Sequence, residues 1–159
     1  MQPGYLFVLT DHSILKFEAN DDTGAYQLDS ANVVWAPDSR RFAFNYRIPA
    51  SHALFETIAI YQLQGEKWVG LTLPLDPDSR KSQVAQLARG HLPKHTPRTA
   101  GENDDVLKVL KWTDADTALL YAAAANTSLL FTLKFDADGK SKIIKTQPVS
   151  DKELEERNE

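Results

Sequence analysis

The side chains best suited to chemistry in this chain fall in one stretch. His91 and His95 lie four residues apart, with Lys94 beside the second and Arg98 just beyond. On a helix that spacing would aim two imidazoles at one metal ion, with Asp104 and Asp105 as further oxygen ligands. Pro93 falls between the histidines and breaks the helical geometry the spacing needs, so the stretch reads as a solvated loop and not as a metal centre. With Arg80, Lys81 and Arg89 upstream, residues 79–98 are locally basic on an otherwise acidic chain. That suits contact with a protein surface or an anionic glycan, and His91, Lys94, His95 and Arg98 are the candidate binding residues.

Other chemistries find less support. Asp136-Ala137-Asp138-Gly139-Lys140 begins like a calcium loop, but the remaining oxygen ligands and the distal glutamate are missing, so it reads as a hairpin turn. His12 beside Asp11 and the isolated His52 read as surface or turn residues. No serine sits in a Gly-x-Ser-x-Gly elbow, and the seven glycines form no phosphate-cradling loop. The chain has no cysteine, which removes disulfides, thiol nucleophiles, zinc ribbons and iron–sulfur ligation together. No catalytic residue and no cofactor is indicated.

These residues must be positioned by a modest scaffold. The 159 residues, 42% of them hydrophobic, fit one domain over 1–150 followed by a charged tail over 151–159. A net charge of −4 disfavours nucleic acid and anionic membrane surfaces as partners. No apolar run approaches the roughly 18 residues of a membrane span.

The apolar pattern has the period of strands. Phe42, Phe44 and Tyr46 alternate with smaller or polar residues, as do Leu129, Phe131, Leu133 and Phe135. The expected strands are 5–9, 13–18, 25–29, 32–36, 41–47, 55–63, 67–73, 106–112, 117–124, 127–135 and 141–147, mainly antiparallel. Between them, 78–90 lacks alternation, begins at a capping Asp or Ser and ends at Gly90, which predicts one helix. With the proline-bearing segment after it, 76–104 reads as a helix-plus-loop insertion.

Two segments repeat in kind. Val33-Val34-Trp35-Ala36-Pro37-Asp38-Ser39-Arg40-Arg41-Phe42-Ala43-Phe44 and Val109 to Tyr121 each run strand, tryptophan, polar turn, strand. Removing the insertion leaves about one four-stranded blade between Trp35 and Trp112. The stretch Trp35 to Phe44 resembles the signature of WD-like propeller repeats, the kind found in Tol-type periplasmic propellers. The resemblance covers 33–74, and 106–148 with Asp-Ala-Asp in place of Pro-Asp-Ser. It implies an all-β, open, incomplete propeller-like stack of four-stranded sheets, with Trp35 and Trp112 buried at equivalent places.

Pro3-Gly4 and the strand after it align with Pro37 onward, as a blade without its first strand. A start inside a repeat implies a removed export signal and a periplasmic or secreted bacterial protein. The function expected on these grounds is a non-catalytic binding or protein-interaction module. The alternative is a hydrolase, or an accessory domain of one, whose site is assembled from distant strand ends.

Overall fold

The computed structural model describes residues 5–9, 14–18, 31–50, 53–74, 106–124 and 127–149. All regular structure among them is β-strand. A hairpin of β1 (Tyr5–Leu9) and β2 (Ile14–Glu18) forms one small sheet. A larger sheet contains β3 (Asn32–Trp35), β4 (Arg41–Ala50), β5 (Ala53–Gln64), β6 (Lys67–Leu71), β7 (Val106–Asp114), β8 (Thr117–Ala124), β9 (Thr127–Phe135) and β10 (Ser141–Pro148). The expected strand at 25–29, the helix at 78–90 and the charged tail lie outside the described residues.

Within the larger sheet, β3 to β6 make one antiparallel meander and β7 to β10 a second. Each meander opens alike. A first strand leads past a tryptophan into a turn where an aspartate accepts a hydrogen bond from the amide two residues on: Arg40 N to Asp38 Oδ1 and Asp116 N to Asp114 Oδ1, both 3.0 Å. The expectation of separate four-stranded sheets needs refinement, because one parallel pair, Glu56 opposite Val106, joins the meanders into an open mixed sheet. The cause is the length of β5. Its 12 residues outrun β6, which pairs only with Ile60 to Gln64 and leaves the lower part of that edge to β7.

Strand alternation sends Ala43, Ile58 and Ile60 of the first meander to the same core as Leu107, Val109, Leu120, Phe131, Leu133 and Phe135 of the second. Phe42 and Phe44 point the other way, where Val33, Tyr61 and Trp68 pack on them. A bulge at Leu110 explains how Trp112 joins the first set. Val109 pairs with Leu120 and Trp112 with Ala118, so two residues three apart in sequence share one face.

Trp112 is 7% exposed, whereas Trp35 is 37% exposed, so the expected burial holds for one tryptophan only. Trp35 pairs with Phe42, which places it on the outer aromatic face, 4.8 Å from the Phe42 ring and 5.7 Å from that of Trp68. The sequence repeat thus matches chain position and turn chemistry but not sheet face, because the first meander has no bulge before its tryptophan.

Polar side chains of the inner face tie the meanders together. The free edge of β7 would leave the Val109 N–H and C=O unpaired, and Asn45 satisfies both, its Oδ1 accepting and its Nδ2 donating at 2.9 Å. Trp112 Nε1 donates to Val34 O at 2.9 Å. Gln62 Nε2 donates to Ala137 O at 2.9 Å in the β9–β10 turn. In that turn Gly139 has φ of +83°, and a Cβ there would lie 2.5 Å from Leu71 Cδ2. The turn expected at 136–140 is therefore a true hairpin turn, closed by Asp136 N to Lys140 O at 2.9 Å and packed beneath β6.

Two outcomes follow for unfolding in urea. Trp112→Ala is expected to cost about 3–5 kcal/mol through lost contact and the cavity left behind, and Trp35→Ala distinctly less. Asn45→Ala is expected to cost at least about 1–3 kcal/mol, because it strands two buried backbone groups of β7.

Candidate functional site

The candidate residues His91, Lys94, His95 and Arg98 lie outside the described residues, as do His12 and His52. The described part carries its functional potential elsewhere. On the face of the second meander opposite the core, β7 presents Lys108 and Lys111, β9 presents Lys134, and β10 presents Lys142 and Lys145. Four of these are exposed and Lys108 is half-buried. Both pairs that share a strand are three residues apart. Bulges at Leu110 and Ile144 bring each pair to one face, where regular alternation would split them.

Little acidic charge balances this face. Asp116 reaches Lys134 at 3.2 Å, and among the described residues no carboxylate lies within 4.0 Å of the other four lysines. Lys108 sits over the Tyr121 ring, 5.7 Å from its centre. Lys142 pairs directly with Lys134 across the strands, a like-charge opposition that raises the local potential.

Two clefts flank the meander joint. One, of about 430 Å³, is lined by Asn32, Asn45, Arg47, Glu56 and Lys108 near the parallel pair. Its strongest charges are mutually engaged, since Arg47 donates through Nε and Nη2 to Glu56 Oε1 at 3.0 and 2.7 Å. The other, of about 570 Å³, lies where the β7–β8 and β9–β10 turns meet the start of β4. Arg41, Lys134, Lys140, Lys142, Asp116 and Asp136 line it, with Ser141 and Phe135.

In this second cleft the Asp116 carboxyl is held at about 2, below the ordinary 3.8, chiefly because the Thr117 hydroxyl donates to it, with Lys134 adding to the effect. Asp136 is engaged too, its Oδ1 accepting from the Lys140 amide at 2.9 Å. Among the described residues no three histidine or carboxylate side chains converge as metal ligands. Nor is any helix there long and apolar enough to cross a membrane.

No family model matches the chain, and neither a curated protein nor a solved structure matches it.

The acid response of Asp116 is testable. Its folded value lies below the unfolded one, so its contribution is present above 3.8 and is lost as pH falls toward about 2. Both it and Lys134 are more than a third exposed, which keeps the contribution under about 1 kcal/mol. Asp116→Asn should flatten this part of the acid limb while leaving the remaining pH dependence intact, as read by urea midpoints across that window.

Proposed function

We propose that the chain is a non-catalytic binding module in which two propeller-like blades, 31–74 and 106–149, carry a basic contact face for an acidic protein partner. The observation that carries this reading is the lysine face of the second meander, five ammonium groups with one carboxylate within reach among the described residues. A face of this kind raises association rates with a partner of opposite sign and orients it, on a chain whose overall charge of −4 repels nucleic acid. Leu119 and Tyr121 lie half-buried between the lysine-bearing strands, beside Leu130, which is buried on the same face.

The blade reading is supported by the matching strand–tryptophan–turn–strand openings of the two meanders and by the core they share. Residues 79–98, which lie in the chain between β6 and β7, remain candidate binding residues through His91, Lys94, His95 and Arg98 on the ground of their basic composition.

Poly-glutamate serves as the probe. Replacing Lys108, Lys111 and Lys145 together with Ala should leave the melting temperature nearly unchanged and weaken binding by about tenfold or more at low salt, with a shallower salt dependence. Equal affinity of the triple variant and the parent would remove this face from consideration. Tight binding of duplex DNA at about 0.15 M salt would replace the acidic-protein reading with a nucleic-acid one.

A further inference from the structure

We infer that the cleft between the two hairpin turns and β4 is a binding site for a phosphate-type dianion, built on Arg41, Lys140 and Ser141 rather than on the lysine face. Three observations converge there, the first being Arg41. The residue is 8% exposed, and its three hydrogen bonds all go to neutral oxygens: Nε to Gln62 Oε1 at 2.9 Å, Nη1 to Ala115 O at 2.8 Å and Nη2 to Asp136 O at 3.0 Å. Among the described residues no carboxylate lies within 4.0 Å of it, so a guanidinium is buried without a counter-ion. Such a charge is costly to desolvate, and each terminal nitrogen keeps an N–H beyond those used here.

The second observation is Ser141. Its Oγ is buried and has no hydrogen-bond partner, and the residue lines the same cleft. A buried hydroxyl without a partner is uncommon, and a turn about one side-chain bond re-aims it.

Third, Lys140 lines the cleft, and among the described residues no carboxylate comes within 4.0 Å of it. The two carboxylates of the cleft are turned to other work, Asp116 toward Thr117 and Lys134, Asp136 toward the turn amide of Lys140.

The ligand chemistry follows from this balance. A carboxylate offers one charge and two oxygens. Two cations without a carboxylate partner, with a hydroxyl donor beside them, match the double charge and three terminal oxygens of a phosphomonoester. Free phosphate compounds and phosphorylated side chains share that chemistry. Phe135, buried beneath Arg41 at 5.9 Å, backs the cleft and holds the guanidinium in place.

Titration of the full-length chain with inorganic phosphate, followed by amide NMR at constant ionic strength, tests the assignment. Saturable shifts centred on Ser141 and Lys140 are expected. Lys140→Ala with Ser141→Ala should weaken binding by about tenfold or more. Lys108→Ala with Lys111→Ala should change it less than about twofold, which separates this site from the lysine face. Phosphoserine in a short peptide binding more tightly than inorganic phosphate would assign a modified side chain as the source, and equal binding a free phosphate compound. Equal shifts with chloride or acetate, or unaltered affinity in the Lys140/Ser141 variant, would overturn the proposal.

Discussion

The two halves of the larger sheet share a single backbone pair, and what holds them in register is a set of polar side chains that stand in for strand pairing. Asn45 is the centre of that set. Its amide presents one acceptor and one donor, the same complement a neighbouring strand would offer, to the edge of β7 at Val109. Arg41 and Gln62 do the equivalent for the turns at the far end. Their hydrogen bonds fix where the first meander sits, and the apolar core between them fills in around that placement.

Much of the scaffold was legible in the chain. Alternation at Phe42 to Tyr46 and Leu129 to Phe135 marked the strands that became β4 and β9, and Asp138-Gly139 marked the turn between β9 and β10. The matching Asp38 and Asp114 turns were legible as a repeat. The faces were not, because face assignment by counting every second residue fails wherever a bulge inserts one. That slip separates Trp35 from its counterpart Trp112.

The same counting hid the lysines. Lys108 and Lys111, or Lys142 and Lys145, fall on opposite faces of a regular strand, so their sequence spacing gave no sign of a common surface. Arg41 was equally silent, since its local setting of Ser39-Arg40-Arg41 describes an exposed turn. Its burial depends on contacts with Ala115 and Asp136, more than 70 residues away in each case. Long-range contacts of that kind leave no local pattern to read.

The bulge at Ile144 also bears on solubility. Among the described residues β10 ends the order of the larger sheet, the position where a row of backbone groups invites a strand from another chain. The extra residue breaks the hydrogen-bonding rhythm there, Lys142 and Lys145 flank it with charge, and Pro148 withholds a donor at the strand's end. Ile144, 51% exposed, is thereby displayed where a flat apolar edge cannot form around it. A single inserted residue thus does two jobs at the rim of the sheet, aligning cations on one face and denying an incoming strand a register to join.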